Sequence, residues 1–235
     1  DEAKRLSFAK RHHIPEELQF TNYETLFEKE QLADCAMVCT QDRMHTEPAL
    51  KAMEKGYHVL CEKPMSPDKA DILKMGNAAK EHDRILSVCH VLRYSAFFER
   101  LKALLTEGRI GRLMSIQHIE EVGYWHHAHS FVRGNWRNSK SSSPMILQKS
   151  CHDMDILAWL TGKKCKKVSS FGSLAHFKKE NAPEGATPYC MGGCKARSSC
   201  PYDAVKIYLE QEEWYSDTIR KVVALEGTNE AVSQE

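Results

Sequence analysis

Three apolar runs alternate with two amphipathic stretches in the first part of the chain. The apolar runs cover residues 33–39, 57–61 and 85–89, and the amphipathic stretches cover 45–55 and 67–82. Continuous apolar strands separated by helices are typical of a parallel sheet that is covered on both faces. The pattern therefore predicts a β-α-β-α-β unit, and helical periodicity at the N-terminus predicts a helix before it.

The rhythm changes in the second part of the chain. A helix is predicted at 97–106, and a long alternating stretch over 113–122 predicts a half-buried, antiparallel strand. Residues 124–145 form a long aromatic and polar loop of the functional or mobile kind, and 167–173 predict another strand. We therefore expect a partial dinucleotide-binding domain at 1–94 and a partial α+β domain at 95–235. The fold class is α/β, with a Rossmann-like parallel sheet followed by a mostly antiparallel sheet.

Composition and charge narrow the class of protein. The 235 residues carry 33 Lys+Arg and 32 Asp+Glu, a net charge of +1, so no basic footprint for nucleic acid is present. No apolar run approaches the ~18 residues of a membrane span, and the N-terminal residues do not resemble a signal peptide. We expect a cytoplasmic protein without membrane or nucleic-acid partners.

Nine cysteines fit a reducing compartment better than a disulfide scaffold. Cys35, Cys39, Cys61 and Cys89 lie in or beside apolar runs, where cysteine behaves as a small buried hydrophobe.

Polar residues follow two of the predicted strands. Residues 40–45 follow the first strand, and Glu62, Lys63 and Pro64 follow the second. Because ligands of open parallel sheets bind outside the carboxyl ends of the strands, both segments are candidate binding loops. Lys63 is a cation held between a strand end and a proline, with an acid beside it for a ribose hydroxyl or another charge. The alternative is a solvated charged turn.

A histidine begins the helix predicted at 151–160. Ser150 and Asp153 have capping-box spacing, which places His152 in the first turn. The helix dipole disfavours a protonated ring there and keeps the imidazole neutral, as a general base requires. The alternative is a histidine satisfied within the core.

An apolar run and the five motifs that follow it carry a resemblance to a known family. They are Thr40, Asp42 and His45; Glu62-Lys63-Pro64; Arg93-Tyr94; Trp136-Arg137; and His152 followed by Asp155, after the apolar run from residue 33. This order and spacing resembles the Gfo/Idh/MocA family of nicotinamide-dependent oxidoreductases. The resemblance implies a Rossmann domain, a second domain with an open sheet, and NAD or NADP as cofactor.

The resemblance also implies roles for the residues. Thr40, Asp42, His45, Glu62, Lys63, Pro64 and Arg93 would bind the cofactor, and Trp136, Arg137, Lys149 and Asp155 would line the substrate site. His152 would remove a hydroxyl proton from a sugar or cyclitol, while Lys63 polarises the same oxygen. The Lys63–Pro64 peptide is expected to be cis, as is frequent in the family. A homo-oligomer through the sheet of the second domain is expected too.

Three departures from the family pattern keep alternatives open. Gln148 stands where many members have an aspartate four residues before the histidine, with Lys149 as the only neighbouring substitute. The family's first strand and glycine-rich turn are not in the chain, and a further stretch of sheet usually follows, so the chain is expected to be a middle piece that binds NAD poorly. A non-catalytic or incomplete member, or a member that cleaves glycosides through transient oxidation, is therefore an alternative to a simple dehydrogenase.

Two segments are candidate metal sites, one with three cysteines and one with three histidines. Cys190, Cys194 and Cys200 could supply three thiolate ligands to a metal ion, but they lack the close spacing of zinc ribbons and zinc fingers. Reduced thiols, a structural metal site and a redox role therefore all stay open. The run His126-His127-x-His129 fits a substrate-covering loop better than a metal site. We therefore predict no metal among the site residues.

Overall fold

A computed structural model describes residues 2–210 of the protein. They divide into two compact units, one that ends at Cys89 and one that begins at His90. The predicted domain boundary between residues 94 and 95 stays a prediction.

The first unit alternates helices and short strands as the apolar pattern predicts. Its elements are α1 (Glu2–Arg11), a 3-10 turn (Glu16–Leu18), α2 (Tyr23–Phe27), β1 (Cys35–Val38), a second 3-10 turn (Asp42–Met44), α3 (Thr46–Glu54), β2 (His58–Cys61), α4 (Lys69–Glu81) and β3 (Leu86–Val88). The predicted parallel sheet is confirmed, with strand order β1-β2-β3. Val38, Cys61 and Val88 lie in register across the sheet.

Helices α3 and α4 pack on each other and against the strands. The core between them contains Val59, Cys61, Met53 and Met75, each at most 1% exposed. Chain reversal after α3 uses Gly56, whose φ of +90° is a conformation that favours glycine. The apolar spacing of the sequence therefore builds one well-packed side of the sheet.

The prediction that the sheet is covered on both faces is not met by the described residues. Met37 in β1 is 69% exposed and Ile85 before β3 is 64% exposed. Cys35 and Cys39 are exposed and Cys89 is half-buried, so only Cys61 behaves as the buried hydrophobe predicted for all four. Alternation along β1 explains this difference, because Val38 faces α3 and Met37 points the other way.

In the described part of the second unit, the assigned elements are all helical. Its elements are a 3-10 turn (Val91–Tyr94), α5 (Ala96–Thr106), α6 (Tyr124–His127), a π-helical turn (Ala128–Val132), α7 (Met145–Thr161), a further 3-10 turn (Lys179–Asn181) and a second π-helical turn (Lys206–Glu210). The predicted helix at 97–106 is confirmed as α5, which begins at Ala96 after the cap Ser95.

The two strands predicted for the second unit are not assigned as strands. Residues 113–122 and 167–173 have no helix or strand assignment. A strand exists only through hydrogen bonds to a neighbour, and within residues 2–210 neither segment pairs in a ladder. The antiparallel sheet is therefore not seen, although the alternation that predicted it is real.

Helix α7 begins six residues earlier than the sequence predicts. Pro144 is its N-cap residue and accepts backbone hydrogen bonds from Leu147 and Gln148. Ser150 therefore lies inside the helix, and Asp153 binds a histidine side chain instead of completing a capping box. His152 is in the third turn of α7, so the argument from the helix dipole was wrong.

None of the helices within residues 2–210 combines the length and the apolar character needed to cross a membrane. The sequence also predicts a polar, frayed tail from Gly227 onward, and that segment lies outside the described residues.

Candidate active site

The loop after β1 is held in place by a buried histidine. His45 is 1% exposed, and its Nε2 lies 3.0 Å from the carbonyl oxygen of Thr40. Its Nδ1 lies 3.0 Å from the carbonyl oxygen of Pro64 in the loop after β2. The imidazole therefore ties the two carboxyl-end loops to each other through their backbones. This contact is a positioning one, and the predicted contact of His45 with a cofactor stays a prediction.

Two other predicted cofactor residues belong to the same loop. The Thr40 side chain is exposed, and its hydroxyl donates to the carbonyl oxygen of Met44 at 3.0 Å. Asp42 is 5% exposed and begins the 3-10 turn that follows. The Thr40–Met44 hydrogen bond therefore closes the loop, with the Thr40 side chain exposed and the Asp42 side chain buried.

Lys63 occupies a firmly anchored loop. The backbone N–H of Glu62 donates to the carbonyl of Val38 at 3.0 Å, and the Glu62 carboxylate accepts from the Lys63 N–H at 3.3 Å. The Lys63–Pro64 peptide is cis, as the resemblance implied, and Pro64 is buried. Lys63 itself is half-buried, so the structure puts a positioned cation at the carboxyl end of β2.

A row of thiols flanks Glu62 at this end of the sheet. Burial raises the pKa of the Cys61 thiol to about 12. Burial also raises the pKa of Cys39 and of Cys89, and the nearby Glu62 carboxylate adds to both shifts. In contrast, a backbone hydrogen bond involving Thr187 lowers the pKa of the Cys194 thiol. The thiolate is the nucleophilic form, so these thiols differ in reactivity.

We expect Cys194 to react first with iodoacetamide at pH 8, with Cys39 and Cys89 slower and Cys61 unlabelled. The physical reason is the thiolate fraction, which the pKa shifts raise only for Cys194. Mass spectrometry of the labelled peptides over time measures this order. Labelling in concentrated urea is the control and should make the rates converge. Rapid labelling of Cys61 in the folded protein would contradict the assignment.

In the second unit, Asp155 is the centre of a charged cluster. Its carboxylate side chain is 10% exposed and binds the Arg93 guanidinium through two hydrogen bonds, Nε to Oδ2 at 2.7 Å and Nη2 to Oδ1 at 2.5 Å. The Nδ1 of His90 lies 3.2 Å from Oδ1 of the same carboxylate. The hydrogen bond to Asp155 raises the pKa of Arg93. Arg93 and Asp155, predicted separately for cofactor and substrate, therefore bind each other.

Asp155→Asn is expected to lower the free energy of unfolding of the second unit. The change leaves the Arg93 charge facing a neutral amide; because 38% of the Arg93 side chain is exposed, the loss is about 2 kcal/mol and not the larger value of a fully buried pair. Denaturant unfolding followed by tryptophan fluorescence measures it, since all four tryptophans come after residue 90.

The matched control is Asp71→Asn, which breaks an exposed ion pair with Lys74 on α4. This change should alter stability by less than about 0.5 kcal/mol. Equal losses of unfolding free energy in both variants would show that Asp155 contributes no more to stability than an exposed charge does.

His152 lies on α7 near this cluster. Its ring and that of His90 form an edge-to-face pair with centroids 6.1 Å apart. Gln148, four residues earlier, is 4% exposed, and the Nζ of Lys149 lies 3.0 Å from Nε2 of His126. An ammonium can only donate, so that nitrogen of His126 carries the lone pair. His152 therefore pairs with the His90 ring, while Gln148 and Lys149 precede it on the same helix.

Trp136 and Arg137 follow a tightly turned segment. They line one cleft together with Phe131 and Phe177, and an Nη1 of Arg137 donates to the carbonyl oxygen of Gly134 at 3.1 Å. The cleft also has Lys178 and other basic side chains at its rim. The cleft is thus lined by aromatic and basic side chains.

The loop at 124–145 is more ordered than predicted. Helix α6 and the π-helical turn occupy its first half, and the Nδ1 of His129 lies 2.8 Å from the hydroxyl of the buried Tyr208. Arg133 donates to the carbonyl oxygen of Tyr202 at 2.7 Å and lies over the Tyr208 ring. These contacts join the loop to Tyr202 and Tyr208, and the predicted substrate-covering role of the loop stays a prediction.

The thiols of the cysteine-bearing segment are separate in the structure. Cys190, Cys194 and Cys200 are free, and Cys190 accepts a hydrogen bond from the Ala204 N–H. Among the described residues, the three thiols do not form a cluster of the kind that can hold a metal ion, whereas the ligand atoms of His118, Glu120 and Asp153 lie within 4.8 Å of one another.

Two functional candidates were missed by the sequence reasoning. His90 directly follows β3, so the rule that polar residues at carboxyl strand ends are site candidates would have found it. His118 lies in the alternating segment 113–122, where the pattern predicts a strand position and not a ligand. Its partner, Asp153, was assigned to a helix cap.

The folds of the two units and these loops define a two-part protein of the dinucleotide-binding class. Residues 1–90 match the family described as "Oxidoreductase family, NAD-binding Rossmann fold", and residues 102–212 match its "C-terminal alpha/beta domain". The chain therefore belongs to the Gfo/Idh/MocA oxidoreductase family.

Curated relatives extend this result. The chain is 30% identical over 70% of its length to a 2,7-anhydro-N-acetylneuraminate hydratase of Escherichia coli and covers 44% of that protein. It is 30% identical over 70% of its length to a 1,5-anhydro-D-fructose reductase of Ensifer adhaerens and covers 47% of it. The chain thus spans less than half the length of these relatives.

A solved structure shares the fold. The aldose-aldose oxidoreductase of Caulobacter crescentus, crystallised with glycerol, aligns with a TM-score of 0.57 at 22% identity over 70% of this chain and 48% of that one. At this identity the likeness concerns the fold alone.

Proposed function

We propose that this chain belongs to an enzyme that transfers a hydride between a hydroxyl-bearing carbon of a sugar or cyclitol and NAD or NADP. The observation that carries the proposal is the placement of Lys63 at the carboxyl end of a parallel strand, in a chain of this family. The loop that carries Lys63 is anchored on both sides of the lysine. The Glu62 N–H donates to the Val38 carbonyl oxygen, and the His45 ring contacts the Pro64 carbonyl oxygen. A cation held there has little freedom to move away from a bound ligand.

The residues at this edge fit a nicotinamide dinucleotide. Parallel strands present their carboxyl-end loops to the ligand, and here those loops offer a hydroxyl on Thr40, a carboxylate on Glu62 and an ammonium on Lys63. We propose that Thr40, Asp42 and Glu62 contact the dinucleotide and that Lys63 lies beside its nicotinamide. The bound cofactor would supply the ring that accepts or donates the hydride.

We propose that two side chains manage the substrate oxygen. The Lys63 ammonium donates to the oxygen of the reacting carbon and stabilises negative charge as it develops. His152 accepts the hydroxyl proton on oxidation and returns it on reduction. Asp155 holds Arg93 and His90, and the His90 ring limits the orientations of His152. Trp136 and Arg137 bind the remaining hydroxyl groups of the ligand in their cleft.

The test is a panel of aldoses, cyclitols and anhydro sugars offered with NAD or NADP to the natural full-length protein. Absorbance at 340 nm reports reduced nicotinamide. We expect turnover with at least one polyhydroxylated alcohol and a clear preference for one cofactor. Absence of turnover and of cofactor binding by calorimetry would contradict the proposal.

A second reaction is supported by the relative that is a hydratase. Transient oxidation beside a hydroxyl lets water or an alcohol leave or add, and the hydride then returns to the substrate. Such an enzyme makes product without accumulating reduced nicotinamide. Measuring sugar products by mass spectrometry beside the absorbance assay separates this reaction from net dehydrogenation.

A non-catalytic role is supported by Gln148, which is buried and whose amide cannot accept a proton as a carboxylate does. A Gln148→Asp variant tests whether the missing carboxylate limits turnover. A large gain in turnover would show that the natural protein lacks a proton acceptor, and unchanged turnover would leave His152 sufficient.

We also propose that residues 113–122 and 167–173 are strands of an open antiparallel sheet, through which copies of the protein associate. Their alternating pattern supports this arrangement. Light scattering of the natural protein would measure the oligomer, and a monomer at all concentrations would contradict it.

A further inference from the structure

A histidine and two carboxylates meet in the second unit, outside the residues assigned to the reaction. The Nε2 of His118 lies 2.9 Å from Oδ1 of Asp153, and a carboxylate oxygen of Glu120 joins them so that all three atoms lie within 4.8 Å of one another. Asp153 is 5% exposed, whereas Glu120 is exposed. One face of the cluster is thus buried and the other is open to solvent.

The local structure brings these side chains together. His118 and Glu120 are two residues apart in an extended segment, so both point to the same side. The preceding residues of that segment line a cleft with Leu157 and Thr161 of α7, and His118 meets Asp153 one turn earlier in the same helix. The extended segment therefore runs along α7, and the rigid helix fixes the position of Asp153.

The two carboxylates of the cluster have no lysine or arginine partner among the described residues. Within residues 2–210, no lysine or arginine forms an ion pair with Glu120 or Asp153, and the partner of Asp153 is His118. A buried carboxylate is stable when it is paired, hydrogen-bonded or bound to a metal ion. A divalent cation would neutralise the two carboxylates together.

The distances fit metal coordination. Ligand atoms at about 2.1 Å from an ion and at right angles to each other lie about 3.0 Å apart, close to the His118–Asp153 separation. One imidazole nitrogen and two carboxylate oxygens are ligands of intermediate hardness, which suit Mn²⁺ or Zn²⁺ better than Ca²⁺ or Cu⁺. Three protein ligands leave positions for water or for an oxygen of a ligand.

We propose that His118, Glu120 and Asp153 bind a divalent transition-metal ion of the Mn²⁺ or Zn²⁺ class. This site is independent of the proposed hydride transfer, and its residues are not among those assigned to the cofactor or substrate. Asp153 directly follows His152 in α7, so a bound ion would also hold the extended segment against the helix that carries His152.

The experiment uses Mn²⁺ alone, because thiolates prefer softer ions and the nine cysteines would complicate Zn²⁺ titrations. Free Mn²⁺ gives a sharp six-line electron paramagnetic resonance signal, which is lost on binding. We expect the natural protein, freed of metal by chelation and dialysis, to bind one Mn²⁺ per chain, and excess Zn²⁺ to restore the free signal.

Glu120→Gln removes one ligand charge from an exposed position and leaves the fold intact, so we expect the dissociation constant for Mn²⁺ to rise at least tenfold. Glu121→Gln is the matched control, with the same chemical change on the neighbouring residue, and should bind as the natural protein does. His118→Ala provides a second ligand variant if the first retains a water-mediated contact.

A free Mn²⁺ signal that the natural protein does not diminish at millimolar metal would overturn the proposal and leave a simple His118–Asp153 hydrogen bond. Equal binding by the natural protein and both ligand variants would overturn it too, because the ion would then lie elsewhere. The readout does not depend on hydride transfer, so the proposed enzyme activity can fail while the metal site stands.

Discussion

Replacement of Lys63 with alanine is expected to lower turnover about a hundredfold to a thousandfold. In the proposed reaction the ammonium donates to the reacting oxygen and stabilises its developing charge, and loss of one such donor costs this much in other enzymes. Steady-state rates with the best substrate of the panel measure the effect. The loss should appear mainly in kcat, because the interaction strengthens as charge develops.

Lys69→Ala is the matched control for this prediction. Lys69 lies six residues further on, at the exposed start of α4, and should leave turnover within twofold of the natural protein. Unchanged turnover in Lys63→Ala, with a working assay, would refute the role assigned to the lysine. Equal losses in both variants would indicate a general effect of charge instead of a positioned donor.

Gly134→Ala is expected to have the largest effect on stability. A Cβ at residue 134 would lie 2.3 Å from the carbonyl oxygen of His129 and 3.1 Å from that of Ser130. Both contacts involve backbone, which cannot move away as a flexible side chain would. We expect a loss of about 3 kcal/mol in the free energy of unfolding, measured by denaturant and tryptophan fluorescence.

The same change should impair the cleft, because Gly134 turns the chain toward Trp136 and Arg137. The backbone N–H of Trp136 donates to the carbonyl oxygen of Ser130 at 3.1 Å, and a shifted turn would break this bond. Gly172→Ala is the control, since an added Cβ there would have no neighbour within 4 Å. Similar stability of the two variants would contradict the close approach at residue 134.

The parallel sheet could be predicted because its signal is local. Short apolar runs such as the one at Cys61 and long amphipathic stretches between them leave few other arrangements, and Gly56 marks the turn between α3 and β2. The order of polar residues after β1 and β2 then placed Lys63 at a strand end. Strand identity and the carboxyl-edge rule were sufficient for this part of the site.

The second unit was harder because its structure depends on distant partners. Alternation over 113–122 is a property of the segment, whereas a strand requires a hydrogen-bonded neighbour that the pattern does not reveal. The predicted start of α7 was wrong for a related reason. Ser150 and Asp153 have the spacing of a capping box, but Asp153 bonds to His118, which is 35 residues away.

Pairings between side chains were also outside the reach of the sequence. Arg93 and Asp155 were each interpreted as ligand contacts, and the structure shows that they bind each other across 62 residues. His45 has the position of a cofactor residue and makes its polar contacts with backbone carbonyls. These cases show that a motif identifies a residue more reliably than it identifies the partner of that residue.

The central claim is that a hydride moves from the substrate carbon to the nicotinamide. The most direct measurement uses a substrate deuterated at the reacting carbon, with mass spectrometry of the cofactor after a single turnover. We expect one deuterium in the reduced nicotinamide, retained there after net dehydrogenation or returned to the sugar in the transient reaction. Product formation with no deuterium in the cofactor at any time would contradict it.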